Sequence, residues 1–380
     1  MASRSQRPFL QAWLGSFDIP LVVAALGLTV FGLIILLSAT GPVAIQRYGS
    51  QYYFLKHQLV AGVIPGIAGM LLALLVPFRF WKKTAPAMLV LSIVLLILVF
   101  LPGIGAEING AKGWLKLGTF MFQPSELVKL TFLLYLSAWL AERKGSDAHN
   151  PTQGLTPFLS ALGAVALLLI LQPDTGSMAI IVGTAMTLYF LSGAPVSWFL
   201  GMCVAGGGAL LALIKHSPYR AARFMTFMHP ELDPKGVGYH INQAFLAIGS
   251  GGWFGLGYGH SRQKFLYLPE VESDSLIAVY AEELGWVMVV LLLCAFGYLL
   301  HRCLLIARAS EDRFGMYLAS GVVAWLACQI LLNMGSMTGL LPMTGVTLPF
   351  FSHGGSAMTV LLITIGIVAR IPTRTSIRTL

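Results

Sequence analysis

The chain has 380 residues, of which 57% are hydrophobic and 10% charged, and a formal net charge of +9; its mean hydropathy is +0.79. A soluble domain carries about 25% charged residues, so the composition excludes a water-soluble globular protein and points to one membrane-embedded unit. The positive balance is not a nucleic-acid signal, because the basic residues are sorted by loop rather than gathered in a patch.

Apolar runs long enough to span a bilayer, about 17–25 residues each, are predicted near 18–40, 57–77, 84–102, 124–141, 155–171, 175–193, 196–215, 275–300, 315–337 and 353–371. The expected fold is an all-α integral membrane protein with ten transmembrane helices. A segment 1–17 precedes a ten-span domain at 18–371, and a tail follows at 372–380. Alternate connections carry Arg4 and Arg7, then Arg79, Lys82 and Lys83, then Arg143 and Lys144, then Arg302, Arg308 and Arg313, then Arg370, Arg374 and Arg378. That is 13 of the 24 Lys and Arg on one side, whereas the opposite short loops hold Arg47, Lys56, Lys112 and Lys116. Both termini are therefore expected in the cytoplasm, with the basic surplus also attracted to anionic lipid. The first apolar run is too long for a signal-peptide core, and no small-residue cleavage site follows it. Cys203, Cys294, Cys303 and Cys328 lie in or beside spans without metal-ligand spacing, and are expected to pack.

This topology places two long segments outside: 103–123, and 215–274 between helices 7 and 8. A connection as long as the second is either functional or disordered, and its aromatic content argues against disorder. Its run "FLAIGSGGWFGLGYG" suits tight turns or a re-entrant segment. The run does not match the dinucleotide-binding glycine pattern in register.

The stretch "YLPEVESDSLIAVYAEELGW" crowds Glu270, Glu272 and Asp274 ahead of the eighth span and Glu282 and Glu283 inside it. Asp274 is the last charge before that span, at the expected level of a lipid headgroup. Three roles fit it: Ser273 or Asp274 capping the helix, a divalent cation site shared with Glu270 or Glu272, or a general base for a hydroxyl of a membrane-bound substrate. Crowded carboxylates raise the pKa of one of them, which suits a base. Glu282 and Glu283 point about 100° apart on a helix, so one is expected to face the bundle interior, in a structural role. In "PSELVKL", Glu126 and Lys129 are neighbours on one helix face at the start of the fourth span. A structural ion pair and a site role suit them equally. Lys112 and Lys116 flank Trp114, an arrangement that suits a phosphate headgroup or ordinary interfacial anchoring. Arg220, Arg223, Lys235, Arg262 and Lys264 add positive charge in the large loop. His353, in the turn-rich segment 338–357, is assigned no role.

Five segments, in order, resemble the SEDS family (shape, elongation, division and sporulation): "NGAKGWLKLGTFMFQPSELVKL", "LQPDTGSMAI", "NQAFLAIGSGGWFGLGYG", "QKFLYLPEVESDSLIAVYAEELG" and "GLLPMTGVTLPFFSHGGSA". The wording "SRQKFLYLPE" and "TGVTLPF" is closer to the FtsW branch than to RodA. The resemblance implies a ten-span peptidoglycan glycosyltransferase of the bacterial cytoplasmic membrane, acting in division or elongation. It implies lipid II as substrate at the outer face, and a class B penicillin-binding transpeptidase and other divisome or elongasome membrane proteins as partners. The family's essential aspartate falls on Asp274, and its important Glu and Lys on Glu126 and Lys129. Lys112, Lys116, the loop arginines, or a divalent cation such as Mg or Mn held at Asp274, would carry the leaving pyrophosphate's charge, with Glu270 and Glu272 as site support. A lipid II flippase and a non-catalytic scaffold for the transpeptidase are the alternatives. The chain departs from the family wording with "ESDS" for "HTDF" and "SHGGSA" for "SYGGSS", at Glu272, Ser275, His353 and Ala357.

The charge asymmetry is tested by placing single cysteines at Gly236 and Ser376 in a chain without its native cysteines. An impermeant thiol reagent added outside intact cells should label Gly236→Cys and spare Ser376→Cys. Equal labelling of the two would overturn the topology.

Overall fold

The computed structural model describes residues 17–108, 111–118, 120–143, 150–216, 218–229 and 236–373. Arg4, Arg7, Lys144, Lys235, Arg374 and Arg378 lie outside the described residues. The helices are α1 Ile19–Tyr48, α2 Tyr53–Leu75, α3 Phe78–Leu98, α4 Pro124–Ala141, α5 Pro151–Leu171, α6 Thr175–Leu191, α7 Val196–His216, α8 Pro218–Met228, α9 Val237–Gly251, α10 Leu276–Ala309, α11 Arg313–Met337 and α12 Gly355–Ala369. Ten of them occupy the ten places where spans are expected. Seven are long and apolar enough to cross a membrane: α1, α2, α3, α5, α7, α10 and α11. The apolar α6 and α12 are shorter, at 17 and 15 residues. The 18-residue α4 carries Glu126 and Lys129 within its length.

Local chemistry sets the ends. Asp18 caps α1, its carboxylate accepting the Leu21 N–H at 2.9 Å, and Gly49 ends it in the left-handed region. Arg302 of α10 reaches Asp18 at 2.7 Å, tying those two helices together. A π turn at Leu59–Val63 loosens α2. There Gly62 lies against Gly355, and the Thr359 hydroxyl donates to the Gly62 carbonyl at 3.1 Å. Such single π turns inside α-helices are uncommon and are found mostly at functional places. Helix α4 is buried nearly all round, with Val128, Leu130, Leu133, Leu134 and Leu136 among its core residues. A helix apolar on every face belongs at the centre. Around it pack α3, α6, α11 and α12.

The two long connections hold secondary structure of their own. Segment 103–123 is largely a three-stranded antiparallel sheet, β1 Gly105–Ile108, β2 Ala111–Leu117 and β3 Phe120–Phe122, in the order β1-β2-β3. It runs directly into α4, where the Gln123 N–H donates to Ser356 of α12 at 3.1 Å. The large loop 215–274 is not one irregular connection, because it contains α8 and α9.

The eighth span is also broken. Within α10, Gly285 sits at φ 76°, ψ 179°. The carbonyls freed on one side are taken by Leu256 N–H to Glu282 O at 3.0 Å and Gly257 N–H to Glu283 O at 2.9 Å. The amides freed on the other side are those of Trp286 and Val287, which donate to the carbonyls of Gly252 and Trp253 at 3.0 and 3.1 Å. The glycine run after α9 thus pairs with the break like a short backbone splice. The approach leaves no room for side chains. A Cβ on Gly285 would lie 2.4 Å from Gly255 N, and one on Gly255, itself at φ 79°, would lie 2.2 Å from Glu283 O. Residues 286–309 alone extend about 36 Å, enough to cross the hydrocarbon. Residues 276–283 form a separate helical piece buried on every side.

Gly285→Ala should destabilise the fold by about 1–3 kcal/mol from backbone strain alone, with the overlap on Gly255 adding to that. Gly297→Ala on the same helix, where a Cβ meets nothing within 4 Å, is the control expected to match the wild type. Thermal unfolding in detergent measures both, and equal midpoints would refute the splice.

Candidate functional site

Asp274 lies at the head of the buried piece of α10 and is 8% exposed. The turn before it is held by Glu270, which adopts φ 52°; its carbonyl accepts the N–H groups of Ser273 at 3.0 Å and Ser275 at 3.3 Å. The N-cap position belongs to Ser275, which makes no side-chain cap hydrogen bond. That position lies one residue after Asp274 and two after Ser273, the residues weighed for a capping role. The Ser275 hydroxyl donates instead to Pro269 O at 2.8 Å and meets His240 Nε2 of α9, and Asp274 Oδ1 is 3.4 Å from it. Behind Asp274, Asn333 Nδ2 of α11 donates to the Asp274 carbonyl at 2.9 Å.

The row of acids does not converge. Glu270 Oε2 receives the Ser273 hydroxyl at 3.0 Å. Glu272 turns to Arg47 at the end of α1, 3.3 Å away. The Glu272 carboxyl is pushed up. Burial is the main cause, the Glu270 charge adds to it, and Arg47 opposes it. Crowding is thus the lesser cause. The Glu272 carbonyl accepts the His353 N–H at 2.8 Å. His353 Nε2 is 2.9 Å from His57 Nδ1 of α2, and burial, together with His57, pushes the His353 imidazole down to about 4. Around this pair Gln58 donates to Ser352 O at 3.3 Å and accepts from Gly354 N at 3.0 Å.

Glu282 and Glu283 are both buried, at 1% exposure each, which corrects the expectation that only one faces inward. Glu282 accepts from the Ser261 hydroxyl and from the backbone N–H groups of Arg262 and Gln263, the latter two at 3.0 and 3.3 Å. Glu283 pairs with Lys264 at 2.7 Å and receives the Ser38 hydroxyl of α1 at 2.7 Å. Adjacent residues face different ways, as helix geometry requires, but protein lies in both directions. The two carboxylates hold segment 261–264 against α1 and α10.

Glu126 and Lys129 form the expected pair, Nζ to Oε1 2.7 Å, with side chains 9% and 3% exposed. Lys129 also sits 5.7 Å from the centre of the Trp325 ring. Cavities of about 10 Å³ flank the pair. One is lined by Lys129, Thr184 and Trp325, the other by Glu126, Gln329 and Thr347, and each is about the size of one water.

Lys112 and Lys116 are exposed on β2, and Lys112 lies 4.0 Å from Glu107 on β1. Lys264 is committed to Glu283, and Arg220 and Arg223 lie in α8. Among the described residues no group of three His, Cys, Asp or Glu side chains could hold a metal ion. One carboxylate with neighbouring hydroxyls does not fit a resident divalent cation, which takes six to eight oxygen ligands as Ca²⁺ or octahedral geometry as Mg²⁺. Sequence reasoning missed His240, Asn333 and Ser38. Each is a polar side chain in a largely apolar helix, and only its partner, distant in the chain, marks it out.

Replacing Lys129 with Met alone strands the Glu126 charge and should cost about 3–5 kcal/mol, whereas Glu126→Gln with Lys129→Met should be milder for stability. Unfolding curves of the two variants decide it, and equal losses would show the pair to be solvated.

The chain matches the model of the FtsW/RodA/SpoVE cell cycle protein family over residues 19–377. It is 36% identical over 355 residues to stage V sporulation protein E of Bacillus subtilis, covering 93% of this chain and 96% of that one. It is 40% identical over 368 residues to a Thioalkalivibrio protein named "Probable peptidoglycan glycosyltransferase FtsW", covering 96% and 92%. Among solved structures it is similar to a chain of a peptidoglycan synthase complex that coordinates polymerisation and crosslinking, with a TM-score of 0.77 and 28% identity over 93% of this chain and 97% of that one. The rod shape determining protein RodA of Thermus thermophilus gives a TM-score of 0.69 at 29% identity, covering 93% and 96%. With a ten-place helical order, the Glu126–Lys129 pair and the Asp274 turn in one scaffold, the chain belongs to the FtsW/RodA/SpoVE family, the SEDS family its motifs resemble.

Proposed function

We propose that this protein is a peptidoglycan glycosyltransferase that polymerises lipid II, with Asp274 as the general base. Relatives that carry that activity in their names support it, at 35–40% identity over most of both chains. The observation that carries the assignment of Asp274 is its setting. A carboxylate heads a fully buried helical piece, and its backbone is pinned from α11. In the reaction the acceptor sugar's 4-hydroxyl oxygen bonds to the anomeric carbon of the donor. The bond from that carbon to the pyrophosphate oxygen breaks, and Asp274 takes the hydroxyl proton. Undecaprenyl pyrophosphate leaves with its negative charge. A divalent cation belongs to this reading only as a companion of the pyrophosphate, since Mg²⁺ is commonly held by one or two carboxylates and substrate phosphates.

The same reading places both termini in the cytoplasm and the Asp274 turn at the outer face, as the loop charges favour. A class B penicillin-binding transpeptidase is the partner, supported by the likeness to the synthase complex that couples polymerisation to crosslinking.

Asp274→Asn keeps the shape and removes the basic oxygen. It should fold and reach the membrane, yet lose polymerisation of labelled lipid II by at least about a hundredfold, the scale of a general base. Glu270→Gln and Glu272→Gln should lose less. Glycan strands made by Asp274→Asn at the wild-type rate would return the site to unknown. Because detergent abolishes sidedness, strand synthesis there also separates a polymerase from a flippase or a scaffold.

A further inference from the structure

Helix α11 carries three polar side chains at intervals of four residues: Trp325, Gln329 and Asn333. That spacing aligns them on one helix face, and all three are buried, at 3%, 5% and 0% exposure. Trp325 and Gln329 are bonded directly, and Gln329 and Asn333 are linked through the 346–347 backbone. Trp325 Nε1 donates to Gln329 Oε1 at 2.8 Å, and Gln329 Nε2 donates to the Thr347 carbonyl at 2.9 Å. Asn333 Nδ2 donates both to the Val346 carbonyl at 2.8 Å and to the Asp274 carbonyl at 2.9 Å. At the other end of the line, the Trp325 ring faces Lys129 of the buried ion pair.

Asn333 is the informative member. Two carbonyl oxygens close to one nitrogen fix the orientation of its amide, because the flipped form would set oxygen against oxygen. Both amide hydrogens are then committed, while Oδ1 is buried with no hydrogen-bond partner among the described residues. A fully buried side chain that leaves its own acceptor unmet is an unfavourable choice for packing, where leucine would serve. What it supplies is a two-pronged donor, clamping the backbone of Asp274 to the 346–347 segment.

We propose that Asn333 is a positioning residue for the glycosyl transfer. Its amide sets the backbone of Asp274 and hence the direction of that carboxylate, and the Gln329 and Trp325 steps make the setting depend on the Glu126–Lys129 pair. This rests on the reading of Asp274 as the base. It also accounts for how a pair buried on α4 serves a turn at the head of α10: the coupling runs through one face of α11.

The test uses the full-length protein with its transpeptidase and compares two replacements of opposite character. Asn333→Leu fills the space and donates nothing; Asn333→Ser leaves a gap and keeps one donor. If Asn333 positions Asp274, Asn333→Leu lowers kcat for lipid II polymerisation by about a hundredfold, the scale of an ångström's misplacement, with KM unchanged. Asn333→Ser then retains more kcat than Asn333→Leu although it unfolds at a lower temperature. The reverse order, with activity following thermal stability, would make Asn333 a packing residue and overturn the proposal, as would wild-type kcat in Asn333→Leu. Should neither variant fold, Gln329→Leu breaks the line one step earlier with both Asn333 bonds kept; it should lower kcat at constant KM, and wild-type kcat there would overturn the coupling. Asp274→Asn is run alongside. If it is active, the reading of the base fails; if it is inactive while Asn333→Leu is active, only the positioning role fails.

Discussion

No backbone polar group can be left unpaired in the bilayer interior, and the architecture around Asp274 follows from how that constraint is met at Gly285. A helix cannot be interrupted there unless something else accepts its orphaned amides and carbonyls. The glycine run 252–257 does so, with four backbone hydrogen bonds across the break. The splice separates a spanning helix from a short buried piece and points that piece, with Asp274 at its head, in its own direction. It also draws the chain that follows α9 along α1, where the Tyr258 hydroxyl donates to Ile34 O at 2.9 Å, about 22 Å along α1 from its start.

Once the segment is drawn in, its charges must be neutralised where they lie. Lys264 and Glu283 do this for each other, and Glu282 is satisfied by a hydroxyl and two backbone amides. The cost of burying these groups is offset only because every one finds a partner. The five acids of one stretch therefore divide by task. Glu282 and Glu283 hold the segment, Glu272 reaches Arg47 at the C-terminal end of α1, Glu270 shapes the turn, and Asp274 heads the helical piece.

The two places where the chain departs most from the family wording prove to be neighbours. The His353 N–H donates to the Glu272 carbonyl, and the His353 ring meets His57. A change in one segment sits against a change in another, at the junction of the 338–354 segment with the Asp274 turn. Similarity to solved relatives at 28–29% identity with TM-scores of 0.77 and 0.69 shows how far side chains can vary while this backbone arrangement persists.

The ten helices, their order and the Glu126–Lys129 pair were legible in the sequence, because hydropathy over a span and a three-residue spacing are local properties. Asp274 was legible as the residue heading the eighth expected span, and motif resemblance gave it a role. The break at Gly285 was not, since "EELGW" reads as continuous helix until the glycine run some thirty residues earlier is laid beside it. Nor was the difference between Lys264, consumed in a buried pair, and Lys112, left exposed, as both read simply as loop cations. The sheet at 105–122 and the helices α8 and α9 were hidden in segments read as connections. Asn333 was the least visible of all: an amide amid apolar residues shows nothing until the carbonyls it binds, 59 and 13 residues away, are brought to it. Local periodicity and charge decide which segments cross the membrane. Only tertiary packing decides which buried polar group meets which, because those partners are far apart in the chain and close only in the fold.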